Sequence, residues 1–273
     1  MILNTRAGQF GESPYGMIMH IWLMPEDGRT EWTLMKVVID SLVEGAGRAT
    51  GIVAVIDVFR AFTCAAVVLA NGASCIVMVR SVEEALELRQ AGLGQFCIGE
   101  VGGRAPDAFD FGNSPFEIAS VDFHGKTVIQ RTSAGTQGIV LASNRAERLY
   151  AASLVTANAT VRAIMSGSPE TITLVPMGAE GIRRTDEDEL CAIHLRNKVE
   201  GRSGDPEAVR RLVLAGGEAP RFHDPTRPYL HPEDVDIALD VDRFDFAVRV
   251  EIEDRRPVAR IERPGLLSQQ HAQ

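Results

Sequence analysis

The chain carries short, nearly unbroken apolar runs, and between them stretches whose apolar positions recur every three or four residues. The runs Ile52–Ile56, Cys75–Val79, Gln95–Gly99, Lys126–Arg131 and Thr171–Pro176 read as strands, and regular patterning opens at residues 35 to 41, MKVVIDS. Ala61–Asn71, Val82–Ala91, a segment from Gly135, Asn158–Met165 and Asp188–Lys198 read as helices, the second with Ser81 as N-cap and Glu84 at the capping-box position. Strands that are apolar throughout are covered on both faces. The alternation therefore predicts an α/β fold of three layers, α/β/α, around a mainly parallel central sheet.

The pattern weakens through GRSGDPEAVRRL, where a short helix is expected, and APRFHDPTRPYLHP, which reads as loop. It recovers at Phe244–Glu251 and Val258–Glu262, which predict a C-terminal antiparallel hairpin turning at DRRP. Residues 1–34 show no clear period and read as an N-terminal extension, 35–265 as a single α/β domain, and 266–273 as a tail.

Composition narrows the function. With 45% hydrophobic and 24% charged residues the chain is globular in type, and 37 acids against 28 bases disfavour a nucleic-acid partner while leaving room for a small anion held by local arginines. The run Met17–Met24 is too short to span a bilayer and lacks the flanks of a signal peptide, so no membrane partner and a cytoplasmic location are expected. Cys64, Cys75, Cys97 and Cys191 form no C-x-x-C pair and are expected as buried free thiols. None opens a C-x5-R phosphate loop, because Arg80 and Arg196 fall one residue too early, which disfavours a cysteine phosphatase.

Candidate chemistry gathers where strands end, the place where open α/β sheets bind ligands. Asp57 and Arg60 follow the first buried strand, Glu100 another, and Glu180 stands between glycines after TITLVP. The stretch RTSAGTQG, residues 131–138, combines a guanidinium, hydroxyls and glycines at a helix start, so Arg131, Thr132, Ser133, Gly135 and Thr136 are a candidate anion cradle, with a plain helix-capping turn as the alternative. Asp57 suits a metal ligand, a nucleophile or a helix cap. Asp57, Glu100 and Glu180 together are candidate ligands for Mg²⁺, which takes oxygen donors and bridges to substrate phosphate. HGKT at 124–127 lacks the glycine of a P-loop, DVFRA lacks the second aspartate of the haloacid-dehalogenase motif, and no G-x-G-x-x-G follows a strand.

The segments VIDVFRAFTCAAVVLANGA (55–73), GEVGGRAPDAFDFGNSPFEI (99–118), GKTVIQRTSAGTQGI (125–139) and GAEGIRRTDEDELCA (178–192) together resemble the 2-phosphosulfolactate phosphatase family, over roughly residues 35–250. The resemblance implies a Mg²⁺-dependent hydrolysis of 2-phospho-3-sulfolactate to 3-sulfolactate and phosphate, a step of coenzyme M formation. It adds Asp110, Glu187 and Asp188 to the expected catalytic set of Asp57, Arg60 and Glu100, and Asn113 and Ser114 to the expected substrate-binding set of Arg60, Arg131, Thr132, Ser133, Gly135 and Thr136. One departure stands out: many members have TTNGT where this chain has RTSAGT. A phosphatase of another phosphorylated 2-hydroxy acid and a non-catalytic phosphometabolite-binding protein are the rival readings, and a homo-oligomer is compatible with each.

Overall fold

The computed structural model describes residues 10–13, 16–23 and 33–265. The strands are β1 (Phe10–Ser13), β2 (Gly16–Leu23), β3 (Thr33–Ile39), β4 (Gly51–Ile56), β5 (Cys75–Val79), β6 (Phe96–Gly99), β7 (Thr127–Arg131), β8 (Ala146–Ala152), β9 (Thr171–Pro176), β10 (Ala247–Glu253) and β11 (Arg256–Glu262). The helices are α1 (Leu42–Arg48), α2 (Ala61–Ala70), α3 (Val82–Gln90), α4 (Gly135–Ala142), α5 (Ala157–Met165), α6 (Asp186–Val199), α7 (Pro206–Leu214) and α8 (Pro232–Ala238), with 3₁₀ turns at Leu154–Thr156 and Ala219–His223.

All the strands join one sheet in the order β1-β2-β3-β9-β4-β8-β10-β11-β5-β7-β6. β3, β9, β4 and β8 form one parallel block, and β5, β7 and β6 another. The predicted terminal hairpin, β10 and β11, lies between them, antiparallel to β8 on one side and to β5 on the other, so the two blocks run in opposite senses. Within the segment expected as an extension, β1 and β2 add antiparallel strands beyond β3. The expected tail, 266–273, lies outside the described residues.

The three layers follow from where each strand face is buried. In β4, Val53 and Val55 join a core with α1, α2 and α4, whereas Ile52, Ala54 and Ile56 face α5 and α6 on the other side. In β5, Ile76 and Met78 join that first core while Cys75, Val77 and Val79 pack on Ala85 and Leu88 of α3. Both faces of these strands are dry, hence their unbroken apolar sequence. The predicted N-cap holds too: Ser81 Oγ accepts from the Glu84 N–H at 3.1 Å. All four cysteines are buried and free. Burial pushes the Cys64, Cys97 and Cys191 thiols above their ordinary pKa, a poor setting for a thiolate nucleophile. Among the described residues no helix is long and apolar enough to cross a membrane.

A twisted sheet turns about 20–25° per strand, so the steps from β4 to β7 amount to more than a right angle. The sheet thus curls around α2 and α4, and the loops after strands of opposite sense meet at one cleft.

Candidate active site

That cleft measures about 790 Å³, counting space open to solvent, and its walls come from the ends of β4, β6, β7 and β9 and from the segment 218–230. Asp57, Arg60, Glu100, Asn113, Ser133, Glu180 and Glu187 of the expected residues line it.

Asp57, one residue past β4, is buried, and its two oxygens accept from two helix starts: Oδ1 from the Ala61 N–H of α2 at 3.0 Å, Oδ2 from the Gly135 N–H of α4 at 2.9 Å. The capping and cleft readings of Asp57 are thus both realised by one side chain. Burial raises its pKa to about 6; the Ala61 N–H opposes that shift and the charge of Glu100 adds to it. Asp188 stands behind it and holds the Val58 and Gly178 N–H groups at 2.7 and 2.8 Å, joining the ends of β4 and β9. Burial first, and then the charge of Asp57, puts the Asp188 pKa well above the ordinary range. Glu187, on the same turn of α6, is shifted the same way by burial and by Asp188, and its Oε2 makes no hydrogen bond to any described residue. Asn113 Oδ1 is likewise buried without a hydrogen bond to a described residue.

Arg60 is held rather than free. Its Nη1 bonds Asp234 Oδ2 at 2.8 Å and the Tyr229 carbonyl at 2.9 Å, both charged side chains are buried, and the guanidinium lies 5.7 Å from the Phe222 ring centroid. Ser114 does not line the cleft; its hydroxyl donates to Asp234 Oδ1 at 2.6 Å and so supports the partner of Arg60.

RTSAGTQG is tied into the fold by contacts within the chain. It does bind anions, but they are the chain's own carboxylates. The Ser133 N–H donates to Glu100 Oε1 at 2.5 Å and the Gly135 N–H to Asp57, while Thr132 and Thr136 exchange backbone-to-hydroxyl bonds at 2.8 and 3.1 Å. Arg131 is not part of the cleft lining: its Nε bonds the Arg80 carbonyl at 3.2 Å, and its Nη1 the Glu100 carbonyl at 2.5 Å and the Ser133 hydroxyl at 3.2 Å. Those contacts tie β7 to its neighbours β5 and β6, while Ser133 and Ala134 of the same stretch line the cleft. Asp110 is also absent from the cleft lining; its carboxylate pairs with Arg89 at 3.0 Å and accepts the Cys97 N–H at 2.7 Å. Glu180 reaches the cleft from an exposed turn.

Asp57, Glu100 and Glu180 all line the cleft, and among the described residues no three metal-ligating side chains converge on one point. Both Glu100 oxygens accept hydrogen bonds, from Ser133 and Gly103. Mg²⁺ commonly takes one or two protein carboxylates and completes its shell with water and substrate phosphate. The unbonded Glu187 Oε2 and Asn113 Oδ1 are hard oxygen donors of the kind that arrangement uses.

Sequence reasoning missed the far wall. Glu218, Arg221, Phe222, Tyr229 and Leu230 line the cleft, and buried Asp234 orients Arg60, yet this region reads as loop. The available signal was its chemistry: a long segment mixing arginines and aromatics within a compact domain is seldom mere connection.

The structure is an α/β protein whose strand ends pool buried carboxylates with an anchored arginine at one cleft. Comparison with known proteins gives the family. The family model described as 2-phosphosulpholactate phosphatase matches residues 37–215, and the chain belongs to this family. It is 40% identical over 138 residues to a probable 2-phosphosulfolactate phosphatase of Thermotoga petrophila, covering 50% of this chain and 58% of that one. Proteins of the same description from Thermoplasma acidophilum and Bacillus subtilis are 34% and 29% identical over 59% and 72% of this chain, and 74% and 85% of their own. The matched part thus spans under three fifths of the Thermotoga relative's length.

Proposed function

We propose that the cleft hydrolyses a phosphate monoester of a small acid, that its substrate is 2-phospho-3-sulfolactate, and that it uses Mg²⁺. Asp57 carries this reading. It is a buried carboxylate at two helix starts with its pKa raised to about 6, so it is mostly ionised at neutral pH and faces a cleft that also holds Arg60.

Arg60, kept in place by Asp234, would hold a phosphate oxygen. Asp57 then acts in one of two ways. As nucleophile it bonds to phosphorus while the ester P–O bond breaks, giving an acyl-phosphate that water hydrolyses. As base it takes a proton from a water that attacks phosphorus directly. In both, the departing alkoxide takes up a proton, from solvent water in the first route and from the water proton held by Asp57 in the second, and leaves as 3-sulfolactate. Five acids, Asp57, Glu100, Glu180, Glu187 and Glu218, line the cleft against two arginines, Arg60 and Arg221, so a phosphate dianion entering it needs further positive charge. Bound Mg²⁺, held by Glu187 and Asn113, would supply that charge and offset the charge developing on the phosphoryl oxygens.

The test is phosphate release from 2-phospho-3-sulfolactate by the purified chain with Mg²⁺, compared with other phosphorylated 2-hydroxy acids. Faster release from another of these acids would transfer the reading to that substrate. No release from any of them would reject it.

A further inference from the structure

Residues 216–234 lie beyond the stretch matched by the family model, yet they build one wall of the cleft. On that wall Glu218 is shared. Its Oε1 pairs with Arg183 Nη2 at 2.8 Å and its Oε2 with Arg221 Nη1. Burial works against the Glu218 charge, but the hydrogen bonds from Arg221 and Arg183 outweigh it and hold its carboxyl below the ordinary pKa. One negative charge between two guanidiniums leaves a surplus positive charge.

The two cleft arginines therefore differ in kind. Arg60 is 4% exposed and has buried Asp234 as its ionic partner, whereas Arg221 is 43% exposed and shares its acid. They are also fixed to each other. Phe222, the residue after Arg221, packs 5.1 Å from the Phe59 ring and lies under the Arg60 guanidinium.

We propose that Arg221 is a specificity-determining residue that binds a second anionic group, a sulfonate or carboxylate, on a substrate whose phosphate lies against Arg60 and Asp57. This rests on the phosphatase reading above. Sharing Glu218 makes the exchange inexpensive. When an incoming anion takes the Arg221 fork, Glu218 keeps Arg183, so no buried carboxylate is left unpaired. A guanidinium presents parallel donors that match two oxygens of such a group, which an ammonium cannot reproduce.

Thermal melting with 3-sulfolactate, lactate and inorganic phosphate, all in Mg²⁺, tests this without needing turnover. 3-Sulfolactate should raise the wild-type melting temperature, and Arg221→Gln should shift the midpoint concentration for that effect at least tenfold upward, with a smaller shift for phosphate. Arg221→Lys should fall between the two, and it decides the matter if Arg221→Gln does not fold. Lactate acting as well as 3-sulfolactate assigns the group to the carboxylate; a much weaker lactate effect assigns it to the sulfonate. Equal midpoints in wild type and both variants, or no wild-type response to 3-sulfolactate, overturn the inference. In kinetics, Arg221→Gln should lower kcat/KM for 2-phospho-3-sulfolactate mainly through KM, and by more than for p-nitrophenyl phosphate. A chain that hydrolyses both but loses them equally refutes the role of Arg221 alone. One that binds 3-sulfolactate through Arg221 yet releases no phosphate refutes the phosphatase reading alone.

Discussion

The backbone N–H of Gly135 donates to Asp57 Oδ2 across 2.9 Å, joining the loop after β7 to the loop after β4. Only glycine permits it: a Cβ at position 135 would lie 2.8 Å from Asp57 Oδ2, 2.9 Å from the Ala61 Cβ and 3.0 Å from the Phe62 ring. Gly135→Ala should destabilise the fold by about 1–3 kcal/mol, the usual cost of overpacking, and displace the carboxylate. Melting temperature and kcat/KM should both fall. A variant of wild-type stability and activity would show that the contact has no such tightness.

Asp57→Asn separates capping from chemistry. Two N–H donors face the two carboxylate oxygens, and an amide can accept only one of them. The neutral amide, however, escapes the burial cost that raises the Asp57 pKa, so the two effects offset and only a small stability change is expected at neutral pH. Loss of the carboxylate should lower kcat by roughly a thousandfold or more, far beyond what that stability change explains. Normal turnover in a folded Asp57→Asn protein would take Asp57 out of the reaction.

The pH response has two parts with different signs. Either role of Asp57 needs the carboxylate, so the rate should fall as pH drops through about 6. Stability runs the other way. The folded pKa lies above the ordinary 3.8, so ionisation costs the native state more than the unfolded one, and up to about 3 kcal/mol of stability is lost as pH rises from 3.8 to about 6, with no further change above. The wild-type advantage over Asp57→Asn in denaturant titrations should shrink across that interval. A constant difference from pH 4 to pH 7 would contradict the shifted titration.

Arg131 bonds the carbonyls of Arg80 and Glu100, a task of backbone cohesion. Arg131→Lys keeps the charge but cannot span both acceptors, so the melting temperature should fall by several degrees. Phosphate should still raise it by the wild-type increment. An unchanged melting point with the phosphate response gone would return Arg131 to the substrate.

Removal of metal tests the donors directly. EDTA should abolish phosphate release and Mg²⁺ restore it, and Glu187→Gln should raise the Mg²⁺ concentration needed for half-maximal rate at least tenfold. Full activity in excess EDTA would dismiss the cation.

β4, β5, β6, β7 and β9 were legible because their burial gives short, mostly apolar runs. β8, with the sequence AERLYAA, was not: its first residues are partly exposed, and its polar start hides the buried half Leu149–Ala152. Asp57, Arg60, Glu100 and Glu187 could be placed at a common cleft from strand ends and family motifs. What motifs could not convey is which way a side chain turns. Arg131 ends β7 and Asp110 lies in the loop after β6, and carbonyls in one case and Arg89 in the other hold them away from the cleft lining. Arg221 and Asp234 depend on contacts more than a hundred and fifty residues away from Asp57 and Arg60, and no local period records those.

The place of β10 and β11 between the two parallel blocks sets a condition on biosynthesis. Both strands follow in sequence every strand of the two parallel blocks, so while the polypeptide is still being made the sheet exists only as two separate pieces. Pairing of β8 with β10 and of β5 with β11 spans long loops and incurs its closure entropy late, an arrangement associated with slow folding. Asp57 stands on one piece and Glu100 on the other. A nascent chain that has not yet emerged as far as Glu262 therefore lacks the seam that brings the two carboxylates together, and ribosome-bound chains stalled before and after that point should differ abruptly in protease resistance.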